Sequence, residues 1–385
     1  MKKKIIIIIG IVLLLIGILL ITLTLLKKEK KTVDIGTFNV EVYDEVDVKD
    51  LIKDDVDITI KTDKVGEKVY TYETEEEIRT FTVKVVDNTP PYIGIGDHYN
   101  HLIGTNFTFS KDIICKDNYD KKIECNIEGE YDINTLGETD LKVVATDSSG
   151  NKTEKDFKLI VIEKSSIKDE HTRISFEQAN SNKPEGTAVM IDVSKWQKEI
   201  DWKKVKESGV DYAMIRLGTQ KAINGESVID AYFEQNIKGA HEAGVKVGVY
   251  YFSYAHSVSD ATTQAKWVVE QLKDYEIELP VSFDWECWSY FNAFDMNLHD
   301  INEMAVAFMK YIEDNGYKAM NYGSKSKLVD IWEPNNYPVW LAHYTDKTTY
   351  EGEYFAWQFT DSGQIDGVNS DVDLNYLNVK FVEEK

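Results

Sequence analysis

The stretch Val281-Ser282-Phe283-Asp284-Trp285-Glu286 concentrates more chemical potential than any other in this chain. It reads as an apolar, buried strand that ends in two carboxylates spaced i, i+2. Side chains alternate along a strand, so Ser282, Asp284 and Glu286 share one face while Val281, Phe283 and Trp285 take the other. Two residues of strand rise put the carboxylates roughly 6–7 Å apart along the backbone. A charged pair at the end of a hydrophobic strand is costly unless something uses it. Like charges that close push one pKa up and leave a carboxylic acid protonated near neutral pH. A proton donor beside a second carboxylate is what glycosidic bond cleavage needs. A lone D-x-E pair is more often two solvated strand-end acids, so the surrounding sequence has to decide.

The elements that would position this pair begin at Ala188. From there short apolar strands alternate with helical patterns. The strands are predicted over Val189–Val193, Tyr212–Leu217, Val245–Tyr254, Val281–Trp285, Ala319–Tyr322 and Val339–Tyr344. Helices fall between them, among them Ala261–Tyr275, with Ala265, Val268, Val269 and Leu272 on one stripe, and Ile301–Asn315, ended by Gly316. Repeated β-α units of this length imply a parallel sheet, most simply a barrel. Phe355–Thr360 and Val372–Tyr376 are strand-rich with no helix between them, so the barrel is expected to be irregular at its C-terminal end. In such barrels the site lies at the C-terminal ends of the strands. Three strand ends carry acids: Asp192, the pair Asp284 and Glu286, and Asp373. Their recurrence argues for one cleft.

At these residues the chain resembles glycoside hydrolase family 25, the N-acetylmuramidases that cut bacterial cell-wall glycan. The resemblance runs through Asp192-Val193-Ser194-Lys195-Trp196-Gln197 with Ile200-Asp201-Trp202, then Ala213-Met214-Ile215-Arg216-Leu217-Gly218 and Val247-Gly248-Val249-Tyr250-Tyr251-Phe252-Ser253. It continues in Phe283-Asp284-Trp285-Glu286 and closes with Trp340-Leu341-Ala342-His343-Tyr344, Trp357-Gln358-Phe359-Thr360 and Val372-Asp373-Leu374-Asn375. It implies an irregular α/β barrel of five β/α units and three further strands, with no cofactor and no metal. One departure is Met190 at the first strand, where the family often has glycine; Met190 shares the face of Asp192 and would narrow the floor of the cleft.

The resemblance and the chemistry together suggest roles. Glu286 is expected to act as general acid, kept protonated with the help of Asp284. Asp284 is expected to orient the substrate's N-acetyl group, whose oxygen would serve as an internal nucleophile; the resemblance favours this substrate-assisted route, an exception to the two-carboxylate scheme. The alternative has Asp192 as nucleophile or base. Otherwise Asp192 and Asp373 would stabilise positive charge on the sugar ring. Tyr250, Tyr322, Tyr344 and Trp357 occupy positions where family aromatics line the cleft, and aromatic faces suit sugar rings; core packing is the competing reading for each. Arg216 is either a substrate contact or an ion-pair partner for cleft acids. Asp371, Asp373 and Asn375 mimic the start of a calcium loop, but the glycine such a loop needs at its sixth position is missing. His343 is read as packed behind the sheet, opposite Trp340, Ala342 and Tyr344.

The rest of the chain supplies delivery rather than chemistry. Met1-Lys2-Lys3-Lys4 precedes an uncharged, apolar run from Ile5 to Leu26, long enough as a helix for about 33 Å against a bilayer core of roughly 30 Å. Lys27, Lys28, Lys30 and Lys31 follow, with no small-residue cleavage site at Leu25-Leu26-Lys27. Residues 1–31 are therefore read as an uncleaved membrane anchor, N-terminus inside and catalytic domain extracellular, with secretion after signal cleavage as the alternative. Residues 32–88 and 89–163 show period-two alternation in a weak repeat and are each expected to form a small β-sandwich. Val85-Val86-Asp87-Asn88-Thr89-Pro90-Pro91 and Thr146-Asp147-Ser148-Ser149-Gly150-Asn151 resemble bacterial immunoglobulin-like repeats, which implies a stalk. Polar residues 164–187 read as a linker, and 188–385 as the barrel. Cys115 and Cys125 could close a disulfide; Cys287 reads as a buried structural thiol. The net charge of −23 will repel nucleic acid and anionic lipid. The expected partners are peptidoglycan glycan strands and, through the N-terminal helix, the membrane. A wall-binding module with little or no activity and a glycosidase for another N-acetylated glycan such as chitin are the competing readings.

Overall fold

The computed structural model describes residues 30–107, 113–164 and 172–383. The expected membrane-spanning run, residues 5–26, lies outside them. Among the described residues no helix is long and apolar enough to cross a membrane. The chain parts into two compact units between Asn88 and Thr89.

In the first unit, β1 (Lys31–Glu41) leads through α1 (Val48–Ile52) to β2 (Gly66–Glu73) and β3 (Glu77–Val86). They form one three-stranded sheet in the order β1-β3-β2, with β1 parallel to β3. Phe81, Val83 and Val85 alternate on its buried face. This corrects the expected two-sheet sandwich. Residues 42–65 do hold an alternating run, Val56-Asp57-Ile58-Thr59-Ile60, but it forms no strand and so no second sheet; before it, Asp47 caps the short helix by accepting from Lys49 N.

The second unit opens with β4 (Tyr92–Gly94), β5 (His98–Leu102), β6 (Ile114–Lys116), β7 (Glu124–Glu128), β8 (Gly137–Thr146) and β9 (Lys152–Ile162). A two-stranded sheet β4-β6 and a four-stranded sheet β5-β9-β8-β7 share a core of Ile93, Ile113, Leu141, Val143, Phe157 and Leu159. A disulfide joins Cys115 to Cys125.

The expected linker is partly structured. Ile174–Ser175 (β10) pairs with Gly363 and Gln364, and Phe176–Asn182 (α2) buries Phe176 and Ala179. Ser175 and Gln178 form a capping box, a start signal legible in the sequence.

The barrel follows: β11 (Thr187–Val193), α3 (Trp202–Glu207), β12 (Tyr212–Gln220), β13 (Ser227–Ile229), α4 (Phe233–Ala243), β14 (Lys246–Ser253), α5 (Val258–Leu272), β15 (Val281–Trp285), α6 (Trp288–Phe291), α7 (Leu298–Asp314), β16 (Ala319–Ser324), α8 (Lys325–Asp330), β17 (Val339–Ala342), β18 (Ala356–Gln364), β19 (Val372–Asn378) and α9 (Lys380–Glu383). Strands β11, β12, β14, β15, β16, β17 and β18 run parallel, and β19 closes the ring antiparallel to both β18 and β11. The missing helix between β18 and β19 is what forces that antiparallel return. Alternation divides every strand. Val189, Ile191, Ile215, Val249, Phe283 and Leu341 face the helices. Met190, Met214, Met320, Trp340, Phe355 and Leu377 fill the interior and plug its lower half. Gly248 must be glycine here: a Cβ would lie 2.6 Å from Met214 Sδ and 2.8 Å from Pro280 O. Above this apolar plug the inward positions turn polar, and the site lies there.

Candidate active site

The inward residues toward the C-terminal ends of the parallel strands, joined by Asp373 from the N-terminal end of antiparallel β19, converge on one pocket of about 220 Å³. Its walls include Asp192 from β11, Arg216 from β12, Tyr250 and Phe252 from β14, Asp284 from β15 with Glu286 just beyond it, Tyr322, Trp340, Gln358 and Asp373. All four predicted acids therefore share one cavity. Asp192 and Asp373 are direct partners across the closing β11–β19 pair. Tyr322 lies beside Asp284 in the β15–β16 register. Glu286 and Tyr322 also line an adjoining trough of about 610 Å³, together with Ser324, Lys325, His343 and Tyr344. The acid thus stands where a deep pocket meets an open one.

Gln358 is the hub of the deep pocket. Its Nε2 donates to Asp192 Oδ2 (3.1 Å) and Asp373 Oδ2 (3.2 Å). Its Oε1 accepts from the hydroxyls of Tyr322 (2.9 Å) and Tyr344 (3.0 Å). Asn375 Nδ2 donates to the same Asp192 oxygen at 2.7 Å, while Asn375 Oδ1 accepts from Trp340 Nε1 at 2.7 Å. Two amides therefore fix Asp192 in orientation.

Electrostatically the pocket holds acids above their ordinary range. Burial raises Asp192, and the hydrogen bonds from Asn375 and Gln358 pull it back down. Burial, then the charge of Asp192, pushes Asp373 up to about 9. Asp284 is fully enclosed and is raised well above the usual aspartate value, by burial first and by the charge of Glu286 second. Glu286 remains open to solvent at the mouth of the cleft. The surrounding walls desolvate it enough to raise it, and its hydrogen bond with Asp284 opposes that rise. Asp284 hydrogen-bonds Glu286, and Asp192 hydrogen-bonds Asp373, so the titrations within each pair are linked. Asp284 is the more strongly raised partner of its pair, whereas the sequence reading put the elevation on Glu286. One oxygen of Asp284, Oδ1, is buried with no hydrogen-bond partner.

The other predicted residues fall in several places. Tyr250 is enclosed in the pocket wall, its ring 5.7 Å from that of Trp340 in an edge contact. Tyr344 borders the trough and is 55% exposed. Trp357 requires a correction: it points outward into the helix-facing core, and its Nε1 donates to His343 O at 2.7 Å. On β18 the inward positions are Ala356 and Gln358, so the aromatic at the cleft is Trp340. His343 is also corrected. Strand β17 ends at Ala342, alternation stops there, and His343 lines the trough while its Nδ1 pairs with Thr348 Oγ1 at 2.9 Å. Arg216 is an ion-pair partner, but of Asp230 and not of the cleft acids, at 2.6 Å with both side chains largely buried. Asp230 also accepts from Lys195 N at 3.1 Å, so this pair holds the loop that carries Trp196. Met190 is fully buried below Asp192. Asp371 is engaged by Arg173 at 2.9 and 3.2 Å. Burial pushes the Cys287 thiol up to about 12, and its Sγ donates to Ser253 O, a structural role. Ser194, Trp196, Gln197, Phe252, Trp340 and Gln358 were not among the predicted site residues. Period-two alternation from Tyr250 was the signal that could have found Phe252, and the shared face with Tyr344 the one for Trp340; Gln358 had none, because the predicted residue of its strand, Trp357, takes the opposite face.

Residues 191–368 match the family described as Glycosyl hydrolases family 25. The uncharacterized protein YegX of Escherichia coli strain K12 is 29% identical over 196 residues, which is 49% of this chain and 68% of that protein. The autolytic lysozyme of Clostridium acetobutylicum is 25% identical over 188 residues, 48% of this chain and 54% of the lysozyme. Among solved structures, a family 25 glycosyl hydrolase from Bacillus anthracis aligns with a TM-score of 0.42 at 23% identity, over 49% of this chain and 88% of the other.

Proposed function

We propose, residues 191–368 being a family 25 glycoside hydrolase domain of the muramidase type, that this site cuts the β-1,4 bond between N-acetylmuramic acid and N-acetylglucosamine in peptidoglycan. The observation that carries the reading is the meeting of Asp192, Asp284, Glu286 and Asp373 in one pocket beside an open trough. The sugar that becomes cationic belongs in the deep pocket, among the acids. The leaving sugar belongs in the trough, with Glu286 between them to protonate the departing oxygen.

Cleavage is substrate-assisted in this reading. Asp192 is an unsuitable nucleophile because Gln358 and Asn375 hold its Oδ2 and Asp373 hydrogen-bonds the same carboxyl. It stabilises developing positive charge instead. Asp284 Oδ1 is a buried acceptor without a partner, suited to the N–H of the substrate's acetamido group, whose oxygen then attacks the anomeric carbon. Residues 5–26 anchor the chain in the membrane with the catalytic domain outside; support comes from the length and apolarity of that run.

Digestion of purified peptidoglycan by the full chain tests the activity. Fragments reduced with borohydride should carry muramitol at the new ends. New ends carrying reduced glucosamine, or no fragments at all, would overturn the assignment.

A further inference from the structure

The sequence reads residues 89–163 as a spacer, yet in the second unit they grip the segment that leads out of the catalytic strand. Leu298 N donates to Asp117 O at 2.7 Å. Asn297 Nδ2 donates to Tyr119 O at 2.7 Å, and Asn292 Nδ2 to Ile113 O at 2.8 Å. Lys121 Nζ donates to Asp295 O and pairs with Asp300, both at 3.0 Å. At the centre of this contact is Lys116, a lysine only 2% exposed. Its ammonium donates to Met296 O (2.7 Å), Phe294 O (3.3 Å) and Lys121 O (3.3 Å). Burying a cation is expensive unless its hydrogen bonds are satisfied. Here the donors end on backbone carbonyls, two of them in the loop after α6, so the cation fixes backbone shape.

The path from this cation to the acid is short and packed. Lys116 Nζ lies 5.0 Å from the centroid of the Phe291 ring. That ring meets Trp285 edge-on at 5.5 Å. Trp285 is the residue between Asp284 and Glu286, and its Nε1 is pinned from the other side by Ala255 O at 2.8 Å. Glu286 follows the last residue of β15 and precedes α6 by one residue, so the position of α6 decides how far the acid reaches into the cleft.

We propose that Lys116 is a positioning residue for Glu286: through it the 89–163 module clamps residues 291–300 and sets the placement and solvation of the acid. The inference rests on the reading of Glu286 as general acid. It makes the module a built-in part of the catalytic apparatus rather than a spacer.

The test uses the full chain with Lys116→Met and Lys116→Arg, soluble glycan fragments as substrate, and hydrogen–deuterium exchange. In Lys116→Met, amides of residues 287–297 should exchange at least about tenfold faster, while the β11–β12 amides are unchanged. The kcat should fall about tenfold with KM moved less than about twofold, since the acid is displaced and sugar contacts remain. The alkaline limb of the kcat profile should move to lower pH, because a better-solvated Glu286 loses its proton earlier. Lys116→Arg should restore much of both. Unchanged exchange in 287–297 would overturn the clamp. Faster exchange with unaltered kcat and pH limb would overturn the positioning role. If Lys116→Met does not fold, Lys121→Ala and Asn292→Ala remove neighbouring contacts of the same clamp and are read by the same criteria. Full activity of a folded Glu286→Gln protein would instead refute the acid assignment, and the exchange experiment would still judge the clamp.

Discussion

Asp284 and Glu286 divide the work of one carboxyl pair by their surroundings. Asp284 is enclosed and presents a partnerless oxygen, whereas Glu286 faces solvent where the pocket and the trough meet. If the acetamido group is the nucleophile, the first product keeps the β configuration, and proton NMR of the fresh reducing end should show β before mutarotation. Initial α product would mean that water attacks directly, with Asp192 as base, and would leave the glycosidase assignment intact. Asp284→Asn should lower kcat about 10²-fold or more, because it replaces one acceptor oxygen of the enclosed carboxyl with an NH2 that cannot accept from the acetamido N–H. Asp373 gives a prediction about stability. Its folded-state pKa, about 9, lies above the ordinary aspartate value. Such a group favours the folded state below pH 4 and progressively loses that contribution as pH rises toward 9. Asp373→Asn should therefore raise Tm by at least about 2 °C at pH 8 and leave it nearly unchanged at pH 4. Equal shifts at both pH values would show that Asp373 is not held protonated.

At the scale of elements, the barrel works because alternation places core outside and chemistry inside on the same strands. That rule made β15 and the acids at the ends of β11 and β19 legible in advance, since regular strands obey period two. It stopped serving where strands stop. His343 follows the end of β17, and Trp357 takes the outward position of its strand while Gln358 takes the inward one. The partner of Arg216 was not legible either, because Asp230 arrives from the loop after β13, a long-range contact with no local sequence signal. Capping was legible but unread at Ser175 and Gln178. The Arg216–Asp230 pair carries the prediction at this scale. Both groups are largely buried, so Arg216→Met leaves an uncompensated carboxylate and should cost about 3–5 kcal/mol in chemical unfolding of the full chain. A loss under about 1 kcal/mol would show the pair to be a surface-like contact.

The molecule carries an acid-lined cleft, a β module bonded to the loop after α6 and an apolar N-terminal run on one chain. The two β segments look alike in sequence but differ in structure. Residues 31–86 make a single sheet with a short helix, and 92–162 make two sheets over a shared core. Alternation alone cannot separate these outcomes, because it reports which face is buried and not what covers it. The anchor proposal is tested on cells. The full chain should stay with membranes after a high-salt wash, and protease added to wall-stripped cells should remove the barrel. Finding the mature protein free in the medium, beginning beyond residue 26, would show a cleaved signal instead.

The proposed hydrolysis turns on Glu286 donating the proton to the departing sugar oxygen. It is tested most directly by comparing wild type and Glu286→Gln on two substrates that differ only in leaving group, a natural glycan and an aryl glycoside of the same sugar bearing a dinitrophenolate. A phenolate that acidic departs without protonation. With Glu286 as proton donor, kcat/KM falls about 10²–10⁴-fold on the glycan and stays near wild type for release of the phenolate, because kcat/KM reports the first step and not the later attack of water that also uses this carboxyl. Wild-type turnover of the glycan, or an equal loss of kcat/KM on both substrates, would rule that role out.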